Sequence, residues 1–324
     1  SLFGFAYYQQ LFSEYVAVAS PSEIRSIGSS VVDHSIHFLS TRPGSIVVAA
    51  CASYGTPKDR KRIIKSLKGY TRSSLLHRDA YIAILRIVDV TDDTVSVHKS
   101  VLAEILVTPD DKDDDEDDVE EISPLLDLAL SDTASKLFLM LLVSDEETRH
   151  KYFDPFELKV LFENPTIKEN GEDVPTSKKN PGTRRRELLQ YCRAPLVELC
   201  TLHADKLLRS RSGARILREV WKSFPSDEIA TAVLEACVGE SGKDSKTLSI
   251  FEDPVGHLVL KNMILDESVE SETKESGPSF VSAFHGKFKG NLIQIASSNR
   301  GAFVLTALSK NSAVHGDVVK ELNK

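Results

Sequence analysis

The sequence predicts an all-α protein, an α-α superhelical solenoid in which each helical unit buries its apolar face only against its neighbours. Three observations carry this. A short motif recurs along the chain, apolar residues between its copies fall three and four apart, and strand-like alternation bounded by hairpin turns is absent. At 324 residues, 41% hydrophobic and 27% charged, the chain has the make-up of a core-forming protein. Its longest apolar runs, Ile46–Ala52 and Leu137–Val143, fall far short of the roughly 20 residues a membrane-spanning helix needs.

The motif is a polar entry, a small residue and an apolar helix start. It appears in Thr41–Ala50 (TRPGSIVVAA) and again in His77–Arg86 (HRDAYIAILR). Each is followed by a turn, Ser53–Pro57 and Val90–Asp93, and by an amphipathic helix ending at Leu67 and at Leu106. The small residues are Gly44, Ala80, Ala134, Gly213, Gly256 and Gly301, with steps of 36, 54, 79, 43 and 45 residues. The 54-residue step holds an acidic run, and the 79-residue step holds Asp154–Thr183, rich in Pro, Asn and Gly. The first therefore contains an insertion, and the second a long loop or a degenerate unit. The small residue is expected to let adjacent helices approach closely. Between copies, Glu187–Cys200 reads as a helix broken at Pro195, and Ser226 reads as the N-cap of a helix running to Cys237.

The expected organisation is helical repeats over 1–108, an acidic flexible loop over 109–123, and further repeats over 124–324 with an inserted loop near 163–183. The opening SLFGFAYYQQ shows no Met and no charged-then-apolar leader. The first repeats are thus expected to end a longer N-terminal array.

The formal net charge of −8 hides its distribution. Asp110–Glu121 (DDKDDDEDDVEE) carries −9, which leaves the other 312 residues at +1. Four basic clusters stand out. The first is Lys58, Arg60, Lys61, Arg62, Lys65 and Lys68, and the second is Lys178, Lys179, Arg184, Arg185 and Arg186. The third is Arg209, Arg211, Arg215 and Arg218; the fourth is Lys287, Lys289 and Arg300, inside a stretch with no acid from Ser276 to Gly316. Four separated clusters favour a surface for a polyanion, with these residues as phosphate contacts. The acidic run is expected to be solvated, screening basic surface until nucleic acid displaces it.

Nothing points to catalysis. The nine histidines are dispersed, and no phosphate-binding glycine loop, HExxH or GxSxG occurs. Cys51, Cys192, Cys200 and Cys237 read as buried reduced thiols, neither a disulfide framework nor a zinc set. His34 and His37 read as polar surface residues. No cofactor, metal, membrane or small-molecule substrate is expected.

Several strings resemble Pumilio-homology (PUF) repeats, more narrowly those of the Penguin/Puf-A branch. They are Leu11–Val16 (LFSEYV), Tyr54–Lys61 (YGTPKDRK) and Val88–Thr94 (VDVTDDT) with Lys99–Ile105 following. Downstream, Phe153–Pro155 (FDP), Ser177–Asn180 (SKKN) and Thr183–Leu189 (TRRRELL) look like the C-terminal Pumilio-like (CPL) domain of that branch. The resemblance spans nearly the whole chain. It implies Pumilio-type repeats, binding of RNA or DNA with little sequence preference, and a nucleolar role in pre-rRNA processing and large-subunit ribosome assembly. The implied partners are pre-rRNA, with mRNA or DNA as further candidates, and pre-ribosomal proteins. The implied location is the nucleus and nucleolus.

In sequence-reading members of the family, two side chains on an inner helix contact a base edge, typically Asn, Ser or Cys with Gln or Glu four residues on. Aligned on the small residue, the pairs here are Ser45/Ala49, Tyr81/Leu85, Ser135/Leu139, Ala214/Arg218, His257/Lys261 and Ala302/Thr306. None forms that pair, so a one-base-per-repeat code is expected to be absent, leaving phosphate contact alone. A protein-binding scaffold of the HEAT or armadillo kind stays open as the alternative. In either case Lys178–Arg186 (KKNPGTRRR) doubles as a candidate nuclear-import string.

Overall fold

A computed structural model describes residues 2–106, 123–238, 248–270 and 277–323. The acidic run expected over 109–123 lies, apart from Ser123, outside the described residues, and so does the screening role assigned to it. Among the described residues every regular element is helical except one two-stranded hairpin. The chain divides into two compact units, Ser1–Arg193 and Ala194–Lys324. A boundary at the acidic run falls inside the first unit. Across it, Arg72 donates to the Pro124 carbonyl and the Asp127 carboxylate, both at 2.6 Å, and Thr133 donates to the Leu75 carbonyl at 2.8 Å.

In the first unit the helices Ala6–Val18, Arg42–Tyr54, Tyr81–Val90 and Ser135–Leu142 pack in succession. Pro21–Val31 and Pro57–Leu67 pack on the Arg42–Tyr54 member. In the second unit Arg211–Ser223, Gly256–Glu270 and Gly301–Lys310 stack in the same way. Asp227–Val238 and Phe280–Phe288 pair alongside that row.

The recurrent small residue marks the start of each stacked helix, and the structure gives its reason. A Cβ on Gly44 would lie 1.9 Å from the Phe38 carbonyl oxygen, one on Gly256 2.9 Å from that of Ile250, and one on Gly301 2.5 Å from that of Ile295. The close approach is to the backbone six residues upstream, and at Gly44 also to the Gln9 side chain of the neighbouring helix Ala6–Val18, 2.6 Å away. Three residues before the small one sits an acceptor for its backbone N–H in all six copies. These are Thr41, His77 through Nδ1, Ser131, Ser210, Asp253 and Ser298, at 2.8–3.3 Å. Each satisfies a donor that a helix start leaves orphaned.

Two sequence expectations are corrected. Strands are not absent: Thr166–Glu169 pairs antiparallel with Glu172–Pro175 through Asn170 (φ 53°) and Gly171 (φ 85°). Two central residues with φ above zero make the type I′ turn that Asn-Gly favours, and the apolar alternation is simply too short to register. The helix expected to break at Pro195 instead runs unbroken over Pro181–Leu202. Proline removes one backbone donor there, and the buried Leu196 and Leu199 keep the helical path beyond it.

Candidate nucleic-acid interface

The first basic cluster sits on Pro57–Leu67, capped by a Thr56/Asp59 capping box. Lys58, Lys61, Lys65 and Lys68, spaced three, four and three apart, form one exposed stripe. Lys61 reaches Asp93 at 3.0 Å. Arg62 turns away, ion-paired with Asp33 and Asp59. Arg60 is 1% exposed and its guanidinium is spent. It donates to the carbonyls of Ala52 (2.8 Å), Ser53 (3.1 Å) and Thr176 (3.0 Å) and to the Thr176 hydroxyl (2.8 Å). Burial pushes its pKa down to about 10. As a phosphate contact Arg60 is therefore withdrawn.

The second cluster divides likewise. Lys178 and Arg186 are exposed. Arg184, 3% exposed, bonds Asp92 at 2.9 Å and the Lys179 carbonyl at 3.0 Å. Arg185 donates to the Leu141 and Leu142 carbonyls at 2.9 and 3.3 Å. Lys179 pairs with Glu187 at 2.7 Å. Arg184 is thus a structural residue, and the basic string Lys178–Arg186 is folded into a helix start instead of standing free.

The structure brings these two clusters together. Asp92 holds Arg184 and, at 2.6 Å, the backbone N–H of Lys178, while the adjacent Asp93 holds Lys61. Asp93 is kept down to about 2, first by the Ser96 hydroxyl and backbone N–H and then by Lys61. Glu187 is also lowered, by Lys179 and the Thr94 hydroxyl. The lysine stripe and Lys178 therefore flank one two-aspartate loop.

In the second unit the third and fourth clusters share the turn before Gly256. Arg209 donates to the Leu248 carbonyl at 2.7 Å and lies 3.6 Å from Asp253; Arg300 donates to the Glu252 carbonyl at 2.7 Å. Arg218 forks onto Asp266 at 2.6 and 2.7 Å, and Lys222 joins it at 3.4 Å. Arg211 and Lys287 are exposed, Arg215 is half-buried, and Lys289 sits 4.0 Å from Asp317.

The base-reading positions are closed in the first unit. Ser45, Ala49, Tyr81, Leu85, Ser135 and Leu139 are all buried. Part of the cover is the helix Pro155–Val160, which lies against Tyr81–Val90. Its Glu157, fully buried, accepts from the Tyr81 hydroxyl at 2.5 Å and from the Lys136 ammonium, and Phe156 lies under Arg42 at 4.0 Å. Burial, then the Glu157 bond, raises the Tyr81 pKa. In the second unit Ala214 and His257 are buried, Arg218 is held by Asp266, and the Thr306 hydroxyl is turned back onto the Ala302 carbonyl at 2.8 Å. One aromatic missed by the charge-led reading is Phe303, 57% exposed, which follows Ala302 on the same helix. Its signal is the position next to an aligned reader.

The four cysteines are free and buried, with burial pushing Cys51, Cys192 and Cys237 up to about 12 and Cys200 higher still. His34 and His37 are exposed, and no group of potential metal ligands occurs among the described residues. No described helix is long and apolar enough to cross a membrane.

Residues 131–276 match the CPL (NUC119) domain family. Human Pumilio homolog 3 is 25% identical over 304 residues, covering 92% of this chain and 43% of that protein. Pumilio homology domain family member 6 of Schizosaccharomyces pombe is 25% identical over 244 residues, covering 75% and 34%. The chain therefore spans less than half the length of these curated relatives. Human Puf-A crystallised with DNA superposes with a TM-score of 0.79 at 24% identity, covering 99% of this chain and 59% of that one. The Puf4 RNA-binding domain bound to RNA superposes at 0.58 with 11% identity, covering 99% and 77%. The chain is thus an all-α protein of stacked Pumilio-type helical repeats. Its particular likeness is to Puf-A and Pumilio homolog 3, and residues 131–276 match the CPL domain family.

Proposed function

We propose that the chain binds RNA or DNA through phosphate contacts, without reading base sequence. One observation carries this: an exposed lysine stripe, Lys58, Lys61, Lys65 and Lys68, adjoins Lys178 at the Asp92–Asp93 loop, while the aligned base-reading side chains of the same unit are buried. Lysines positioned on a surface neutralise phosphates whatever the bases, whereas a buried Leu85 or Ala49 reads nothing. Puf-A crystallised with DNA and Puf4 bound to RNA support a nucleic-acid ligand. In the second unit Arg211 and Lys287 add charge, and Phe303 offers a stacking face that tolerates any base. The likeness to the Puf-A branch supports a finer reading: a nucleolar factor in large-subunit assembly, acting on pre-rRNA beside pre-ribosomal proteins.

The test is the salt dependence of binding to mixed-sequence single-stranded RNA. Each phosphate contact contributes a slope of about −0.7 in log K against log salt, so Lys58→Gln, Lys65→Gln and Lys68→Gln together should flatten the slope by about 2. Between 50 and 200 mM salt that removes roughly a 20-fold loss of affinity, equally for every sequence. An unchanged slope, or loss confined to one sequence, refutes the proposal. Absence of RNA binding alongside capture of an acidic protein would favour the scaffold reading.

A further inference from the structure

A cavity of about 70 Å³ lies within the first unit, with Asp89, Arg149, Phe162, Arg184 and Arg185 among its lining residues. It exceeds several-fold the roughly 10–15 Å³ that admits one water. Its charges do not balance. Arg184 is answered by Asp92 at 2.9 Å, and Asp89 by Arg86 at 2.6 Å. Arg185 spends itself on two neutral carbonyls, those of Leu141 and Leu142. Among the described residues Arg149 has no carboxylate or carbonyl partner for its side chain, and its Nε is buried without a hydrogen bond. Two half-buried guanidinium groups therefore line one small space with no carboxylate answering either charge.

The floor beneath them is built at a cost. Phe162 takes φ 70°, one of two positive values at non-glycine residues among those described; the other, Asn170, is in the hairpin turn. For a bulky side chain this conformation costs about 1–3 kcal/mol. It is held by a bond from the Phe162 backbone N–H to Asp89 at 3.1 Å and by edge-on packing against Phe153 at 5.1 Å. The effect is to place the ring 4.4 Å beneath the Arg149 guanidinium, fixing that group's plane. Burial depresses the Arg185 pKa, and the like charges of Arg149 and Arg186 depress it further.

We propose that this cavity binds a single phosphate group, clasped between Arg149 and Arg185. The planar forks of two arginines suit the oxygens of a tetrahedral dianion, and its two charges match the two left over. The site does not depend on the lysine stripe and uses none of its residues. Its ligand is either free phosphate or the terminal phosphate of a strand, and the experiment separates the two.

The probe for the full chain is inorganic phosphate, titrated at constant ionic strength against chloride and followed by calorimetry and thermal unfolding. Saturable binding is expected, raising the melting temperature, and Arg149→Gln should weaken it by about tenfold or more. Arg149→Lys, which keeps the charge but not the fork, should recover only part of this and guards against a folding defect in the first variant. No saturable binding up to about 10 mM phosphate, or equal binding by Arg149→Gln, overturns the site. Oligonucleotides of one sequence with a 5′-phosphate or a 5′-hydroxyl then identify the source. A preference for the phosphorylated strand that disappears in Arg149→Gln assigns a strand end; equal binding of both strands, with inorganic phosphate still bound, assigns free phosphate. If neither strand binds, the nucleic-acid reading falls while the inorganic phosphate result stands by itself.

Discussion

Arg60 and Lys65 lie five residues apart on one helix, yet their replacement should give opposite results. Arg60→Met strips the Ala52 and Thr176 carbonyls of their guanidinium donor; the Ser53 carbonyl keeps the Thr176 hydroxyl. Two orphaned buried acceptors cost about 1–3 kcal/mol each. Relief from burying a guanidinium, whose pKa is already pushed down to about 10, offsets part of this. A net loss of about 2–4 kcal/mol follows, and at about 2–4 °C per kcal/mol for a domain of this size the melting temperature should fall by roughly 5–15 °C. Lys65→Met, on the exposed face, should stay within about 0.5 kcal/mol of the parent while weakening RNA binding. Differential scanning calorimetry beside fluorescence anisotropy reads both. Because Thr176 shares the bonds, a cycle with Thr176→Val should show coupling of about 0.5–3 kcal/mol. If Arg60→Met leaves the melting temperature within about 2 °C and weakens RNA binding as much as Lys65→Met does, the reasoning that separates clamp from ligand is wrong.

Three further outcomes follow from the same geometry. Glu157→Ala should cost about 3–5 kcal/mol in chemical denaturation, because the Lys136 ammonium and Tyr81 hydroxyl lose their buried acceptor; a shift under about 1 kcal/mol would contradict that pairing. Asp93, held below its usual value at about 2, adds stability that is complete above its unfolded pKa of about 4 and is lost as pH falls through about 2. Since the Asp93 side chain is 38% exposed and so partly screened by solvent, Asp93→Asn should flatten that acid limb by under about 1 kcal/mol. The same change frees Lys61 and should tighten RNA binding at neutral pH, so weaker binding would count against the stripe. Thiol reagents at pH 8 should label Cys237, 7% exposed and lining a cavity of about 470 Å³, before Cys51 and Cys200; early labelling of Cys200 in the native protein would contradict its burial.

Charge counts alone could not separate the clamps from the ligands, because a cluster total treats every cation alike, but position on the helix could. Arg60 falls in register with Ile63, Ile64 and Leu67, and Arg184 with Leu188 and Cys192, so each arginine occupies an apolar stripe at helical spacing. Lys58, Lys61, Lys65 and Lys68 fall on the complementary face. Arginine tolerates the buried face because its fork can satisfy several carbonyls at once, as Arg60 and Arg185 both do. The repeat itself was legible through Gly44, Gly256 and Gly301, since a carbonyl six residues upstream leaves no room for a Cβ. Its companion, the cap three residues earlier, was hidden by chemistry: Thr, His, Ser and Asp look unrelated until their shared role as hydrogen-bond acceptors is seen. The Arg149 cavity was not legible at all. Its lining residues, from Asp89 to Arg185, are joined only by the tertiary fold, and no periodicity brings an arginine at 149 to an aromatic ring at 162. A basic residue counts as a phosphate ligand only once the fold has been shown to leave it without a partner. By that criterion Lys58, Lys65 and Lys68, and Arg149 in its cavity, are the cations the proposals rest on, and Lys61 joins them only when Asp93 lets it go.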